Sequence, residues 1–173
     1  MSEKSAPDAT KPAAASVPRA WPDLAGHLIS LDGGKAHILP IRVYFEDTDF
    51  SGLVYHASYV RWCERGRSDF LRLLGNDHRT LIDGAGKEPS AFVVRRLNLE
   101  YLRPARIDDV LEVTTSVKTL TAATLVLDQR VSRGPETLCT AEVTVVLVSQ
   151  SGRVLRLSTA LRKRLGPSRD HPG

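Results

Sequence analysis

Three carboxylates, Glu46, Asp47 and Asp49, fall within four consecutive positions, and Gly52 and His56 follow closely. A positioned carboxylate can attack a carbonyl carbon or activate a water to do so. Either route needs a hydrogen-bond donor where negative charge develops on the carbonyl oxygen. An amphipathic pattern starts at the end of this stretch, and the first N–H groups of a helix are unpaired and sit at the positive end of its dipole. Asp49 and the backbone N–H of His56 are therefore the candidates for chemistry on a carbonyl. Asp47 competes, because two residues apart in an extended turn share a side. It also suits a turn or a cap. The His56 side chain can orient the carboxylate, carry a proton, or simply pack. Tyr55 and Tyr59 read as packing aromatics or as hydroxyl contacts to a ligand. Glu64 reads as a solvated or ion-paired helix residue.

The elements that must hold these groups are legible on both sides. Residues 37–45 form an apolar, β-branched run, and Pro40 within it suits a strand start or an edge. Over 57–74 the residues Tyr59, Val60, Cys63, Gly66, Phe70, Leu71 and Leu74 recur at three- and four-residue steps, which predicts one buried helix face. Arg61, Arg65, Arg67, Asp69 and Arg72 fall on the other side. Gly66 costs about 1 kcal/mol against Ala in a helix, and makes sense if a sheet passes close to it. Gly75-Asn76 stops the helix. Residues 77–88 form a loop or short helix. Strands are then expected over 90–101, 110–119, 124–133 and 137–150, with a turn at 103–109 that includes Asp108 and Asp109. A short strand or helical tail is expected over 155–166. One strand, one long helix and four long strands make an α+β layout in which an antiparallel sheet packs over the helix.

Length and composition narrow the function classes. A chain of 173 residues is expected to hold one domain with a real core. The domain is expected over 31–166. Residues 1–30 are expected to form a disordered or loosely ordered tail, with a short helix or anchored segment over 21–28. Residues 167–173 are expected to be disordered. A net charge of +4 with 6% aromatics, and no basic stripe interleaved with aromatics, argues against a nucleic-acid partner. No apolar run is long enough for an integral membrane span. Met1-Ser2-Glu3-Lys4 has no apolar run after it, so no signal peptide is expected. Cys63 and Cys139 lie apart in apolar patterns and read as buried reduced thiols, which fits a cytoplasmic setting. No clustered ligands for a metal are visible, and no cofactor is implied.

Glu46-Asp47-Thr48-Asp49-x-x-Gly52-x-Val54-Tyr55-His56-Ala57-Ser58-Tyr59, followed by Glu64-Arg65-x-Arg67, resembles the tol-pal-associated acyl-CoA thioesterases of bacteria. These belong to the hotdog-fold superfamily that includes 4-hydroxybenzoyl-CoA thioesterase. Tyr101-Leu102-Arg103-Pro104-Ala105-Arg106-x-Asp108-Asp109 is similar to a second stretch of that group. The resemblance covers about residues 37–149. It implies a sheet curled around a central helix, homodimers or homotetramers, and active sites at the dimer interface. Asp49 matches the family's catalytic aspartate, Gly52 its glycine, and the His56 N–H the donor to the thioester carbonyl. The substrate implied is an acyl-CoA, hydrolysed to free acid and CoA, with Gly52, Tyr55 and Tyr59 beside it. Possible partners are proteins of the cell envelope or of lipid synthesis. Phe50 and Ser51 depart from the relatives, which often carry small residues or proline there, and imply a narrower acyl pocket. CoA phosphates call for basic groups, and Arg95, Arg96, Arg103, Arg130 and Arg133 are the candidates. Two other readings stay open: a hotdog dehydratase acting on 3-hydroxyacyl thioesters, for which His56 alone falls short of the His-plus-acid pairing, and a non-catalytic acyl-CoA-binding or scaffold protein.

Overall fold

The computed structural model describes residues 26–31, 34–75, 78–84 and 88–166. Residues 1–25 of the tail expected over 1–30, and the expected C-terminal tail over 167–173, lie outside the described residues. The chain runs β1 (His27–Leu31), β2 (Gly34–Arg42), a single 3-10 turn (Phe45–Asp47), α1 (His56–Leu73), α2 (His78–Ile82), β3 (Ser90–Tyr101), β4 (Val110–Leu120), β5 (Thr124–Arg133), β6 (Glu136–Ser149), β7 (Val154–Leu155) and α3 (Thr159–Leu165). The strands make one antiparallel sheet in the order β1-β2-β4-β5-β6-β3, with β7 added to β6. This is the expected α+β hotdog layout.

The four long strands begin and end within a residue or so of where their β-branched runs do. The sheet starts earlier than expected, because His27–Leu31 pairs with β2 over its whole length. This segment was expected to be a loose tail or a short helix. Its long-range anchor is the Gly26 N–H, which donates to Asp69 Oδ2 at 2.7 Å. The same carboxylate oxygen lies 2.7 Å from His37 Nε2. His37 is fully buried, and burial pulls its imidazole below the usual histidine range.

Helix α1 lies over β2, β4 and β5. Its buried residues are Ser58, Tyr59, Trp62, Cys63, Gly66, Arg67, Phe70 and Leu71. Two expectations are corrected here. Val60 is only half-buried, and Trp62 takes the deep position instead. Arg67, expected on the solvent side, is 8% exposed. The cause is close wrapping by the sheet. A Cβ on Gly66 would stand 3.0 Å from Val113 Cγ1 and 3.1 Å from Thr115 Oγ1, so any side chain there would push β4 back by a few tenths of an ångström. That closeness carries the neighbouring Arg67 under the sheet, where Nη1 donates to Gln129 Oε1 at 2.8 Å. Gln129 in turn donates to Cys63 O and Thr115 Oγ1, both at 2.8 Å.

The remaining core is aliphatic: Val43, Leu111, Val113, Leu125, Leu127, Val131, Leu138 and Val143 are fully buried. Cys63 and Cys139 are free thiols within it, and burial pushes them up to about 11 and about 12. They are held as inert thiols. No described helix is long and apolar enough to cross a membrane.

Candidate active site

The turn between β2 and α1 is built by its own backbone. Asp49 N donates to Leu53 O and Gly52 N donates back to Asp49 O, both at 3.0 Å. Closing so tight a loop needs a left-handed residue, and Gly52 supplies it at φ +75°. No atom would crowd a Cβ there, so the glycine serves the backbone and not a close packing contact. The chain then returns through a bridge between Thr48 and Val54.

Beneath this loop lies the turn after β3. Leu53 bridges Arg106, and Val54 N donates to Ala105 O at 2.9 Å. On the other side Val43 N donates to Asp109 O, and Asp108 N to Val43 O. The second motif stretch of the sequence is thus the platform on which the first one sits. Asp108 and Asp109 are structural, as the turn reading had them. Asp109 accepts from the Arg106 N–H and from Arg133 Nη1.

The two neighbouring acids have opposite surroundings. Asp47 is buried; its Oδ2 accepts from Tyr44 N at 3.0 Å, and its carbonyl accepts from Tyr55 N at 2.8 Å and the Ser58 hydroxyl at 3.3 Å. It clamps the strand end to the helix start and has no free face for a substrate. Asp49 is exposed, and its Oδ1 accepts from both the N–H and the hydroxyl of Ser51. Those bonds, the hydroxyl's first, hold its carboxyl below the usual carboxylate range, with His56 adding a smaller pull. Asp49 is therefore an ionised carboxylate with a second oxygen available.

His56 is the first residue of α1, with Tyr55 as its N-cap. Its N–H has no acceptor within the helix by construction of the α-helix. The imidazole rests against the Tyr55 ring, centroids 4.3 Å apart, and edge-on to Tyr101 at 6.3 Å. The Tyr101 hydroxyl donates to His56 O at 3.0 Å, which fixes the first turn of α1 against the end of β3.

The structure brings Asp49, Gly52, Tyr55 and His56 together at one exposed corner. It leaves out Tyr59, which was expected beside the substrate. That side chain is 3% exposed, its ring packs edge-on to Trp62 and Tyr101, and its hydroxyl accepts the Ala105 N–H at 2.8 Å. Tyr59 secures the platform. Ser51 and Tyr101 are the site residues that sequence reasoning missed. Ser51 stands out in the sequence as a departure from the family pattern, and a serine two residues after an aspartate is also a common local bonding arrangement. Tyr101 lies 45 residues beyond His56, and nothing local signals their contact.

Of the arginines considered for phosphates, Arg103 pairs with Glu136, and Arg133 pairs with Asp109 and Glu136. Arg95, Arg96 and Arg130 stand exposed on β3 and β5. Glu64 is exposed on the side of α1 and accepts from the Ser68 hydroxyl at 2.7 Å. Among the described residues no group of His, Cys, Asp and Glu is arranged to hold a metal.

A curled antiparallel sheet over one long helix, with an ionised carboxylate on the turn into that helix, defines a hotdog protein equipped to act on a carbonyl. Residues 51–140 match the family model of the thioesterase superfamily, and the chain belongs to that family. It is 46% identical over 110 residues to the acyl-CoA thioester hydrolase YbgC of Escherichia coli O6:H1, covering 63% of this chain and 79% of that one. It is 41% identical over 118 residues to the acyl-CoA thioesterase YbgC of Haemophilus influenzae, covering 68% and 83%. The crystal structure of a probable thioesterase from Bartonella henselae superposes with a TM-score of 0.69 at 41% identity, over 71% of this chain and 99% of that one.

Proposed function

We infer that this protein hydrolyses acyl-CoA thioesters to a free acid and CoA, and that Asp49 is the reacting carboxylate. The observation that carries the reading is the contrast between the two acids of the motif: Asp47 is consumed by structure, while Asp49 is ionised, exposed and next to the start of α1. The thioester carbonyl accepts from the His56 N–H, where the helix dipole favours the developing negative charge. One such donor is commonly worth about 3–4 kcal/mol in the transition state. Asp49 adds to the acyl carbon, giving a mixed anhydride that water then cleaves to regenerate the carboxylate, or it takes a proton from a water that adds directly. The C–S bond breaks, the thiolate of CoA leaves and is protonated, and the oxygen of water ends in the free acid. Gly52 shapes the turn, and Tyr55 flanks the acyl group.

The site works in a homodimer, and a tetramer is a dimer of such dimers. β3 ends the sheet, and it exposes Val93, Val94, Leu97 and Tyr101 together with Leu102 just beyond it. An apolar edge strand of this length is a template for pairing with another strand. A second copy of β3 would cover it and bring a second chain beside the α1 start. The buried free thiols suit a reducing cytoplasm. Partners from the cell-envelope machinery are carried by the family resemblance.

The test is release of free thiol over a panel of short, long and aromatic acyl-CoAs, with sedimentation run on the same sample. No thiol release from any of them overturns the enzymatic reading. A monomer at micromolar concentration overturns the shared site.

A further inference from the structure

His37 is a titratable group closed inside the fold. It is fully buried on β2, with the Phe70 ring centroid 6.1 Å from its own. Its Nε2 lies 2.7 Å from Asp69 Oδ2. Asp69 is held ionised: burial raises its carboxyl, but the bonds from Arg72, Gly26 and His37 outweigh that and keep it below the usual carboxylate range. An ionised carboxylate only accepts, so Nε2 carries the ring proton and Nδ1 keeps its lone pair. Among the described residues Nδ1 has no hydrogen-bond partner. A proton added there would place a second N–H, and a charge, in a dry interior with no acceptor beside it.

The same carboxylate holds β1. Gly26 N donates to Asp69 Oδ2 at 2.7 Å, beside His37 Nε2, and Arg72 Nη2 donates to the other oxygen at 2.9 Å. Gly26 lies against the imidazole: a Cβ there would run into the Ile38 carbonyl and stand 2.5 Å from His37 Nε2. The ring is thus covered by the segment that it helps to fasten. β1 has little else to hold it. It stands at the edge of the sheet, pairs among the described strands with β2 alone, and four of its five residues are exposed. Such a segment opens locally at far lower cost than a core strand. The charged groups facing His37 are Asp69 and Arg72 on α1 and His27 on β1, and its partner on β4 is the neutral Thr115.

We propose that His37 and Asp69 form a proton-operated latch on β1: with His37 neutral the latch holds Gly26 and β1 on the edge of the sheet, and proton uptake by His37 releases them. In the latched state burial lowers the imidazole below its ordinary value of about 6.5; the bond to Asp69 opposes this, and His27 and Arg72 add to the lowering. Protons therefore bind more tightly once β1 has left and the ring meets water. The stability of the latched state is fully present above about pH 6.5 and is lost as the pH falls below that value. Asp69 stays ionised through this window, so His37 is the group that titrates. Release frees the outer edge of β2 over 34–38, a row of unpaired backbone groups that another extended segment can take up. The latch stands apart from the thioesterase reading, because none of its residues is at the Asp49 corner.

The experiment is amide hydrogen exchange of the full chain at about pH 7.5 and about pH 5.5, read as protection factors so that the intrinsic pH dependence of exchange cancels. Protection of the β1 amides is expected to fall by about threefold to about tenfold at the lower pH. The upper figure is the ratio of protonated to neutral ring that a histidine of ordinary pKa, about 6.5, reaches there in the open state. The amides of β5 and β6 are expected to change less. His37→Gln keeps a donor for Asp69 and takes up no proton, so the fall is expected to vanish; His27→Ala is expected to retain it. Equal protection of β1 at both pH values overturns the latch, and so does an equal fall across β5 and β6. A fall that survives in His37→Gln, or is lost in His27→Ala, overturns it as well. If His37→Gln does not fold, the ring resonances of the wild type decide. His37 is expected to be neutral at about pH 6.5 and to protonate only as β1 loses protection; a ring that protonates with β1 still in place overturns the inference.

Discussion

Helix α1 carries polar groups at two places, and they are built in opposite ways. At its start, Asp49, Ser51 and Gly52 are shaped by bonds within a handful of residues, and the reactive carboxylate is left in the open. At its middle, Arg67, Gln129 and Thr115 meet across three elements, 62 residues apart for the first pair, and the cation is hidden. The start needs access and an intact charge. The middle needs every polar group satisfied, because an unpaired one in a dry interior costs more than the bond it replaces is worth. A change at the start should therefore be read in turnover, and a change in the middle in stability.

The strongest check on that division is Asp49→Asn. It keeps the shape and removes the charge. Thiol release is expected to fall by at least about 100-fold, the range for losing a positioned acid–base group. The denaturation midpoint is expected to stay within error of wild type, since an exposed carboxylate bonded only to Ser51 holds no other element in place. Loss of folding in this variant would erase the distinction between the two places.

Gln129→Leu strikes the middle. It removes the acceptor of Arg67 and the donor to Cys63 O and Thr115 Oγ1 at once. A loss of about 1–3 kcal/mol is expected from urea unfolding, the usual cost of stranding buried polar groups. An unchanged midpoint would mean that the network is solvated and not structural.

Asp47→Ala comes next. The side chain accepts one backbone N–H, that of Tyr44, and its loss is expected to cost about 1 kcal/mol, as for other caps. Turnover should fall far less than for Asp49→Asn. If Asp47→Ala abolishes thiol release and Asp49→Asn does not, the two acids have been assigned the wrong way round.

The smallest effect is expected from Ser51→Ala. The Ser51 hydroxyl is the leading cause of the depressed Asp49 carboxyl, and the Ser51 N–H persists in the variant. Wild-type Asp49 stays ionised until the pH falls below the usual aspartate value of about 4. Activity that needs the carboxylate is lost as the pH falls through its own pKa. Raising that pKa moves the acid limb of the pH–rate profile to higher pH, with the plateau little changed. A limb that moves the other way, or not at all, would separate the limb from Asp49.

The sequence by itself determined the long helix, the four long strands and the Asp49–Gly52 turn, while β1, which needs β2 and Asp69 to hold it, escaped it. Strand runs of β-branched residues and the three-four recurrence from Tyr59 to Leu74 are periodic, and periodicity is a property of neighbours in the chain. The Asp49–Gly52 turn closes on its own backbone, so its residues were visible as a motif. Gly66 announced a close contact by its poor helix propensity, and β4 is there. Tertiary structure decided what depends on distant partners. Arg67 looks like one more solvent-facing arginine until β5 brings Gln129 over it. Tyr59 reads as either a packing aromatic or a ligand contact until the Ala105 N–H takes its hydroxyl. Asp47 and Asp49 stand two apart and share a chemistry; only the placement of Tyr44 and the helix start against one of them, and of solvent against the other, tells them apart. Burial and long-range pairing belong to the packed chain as a whole, and no window of neighbouring residues contains them.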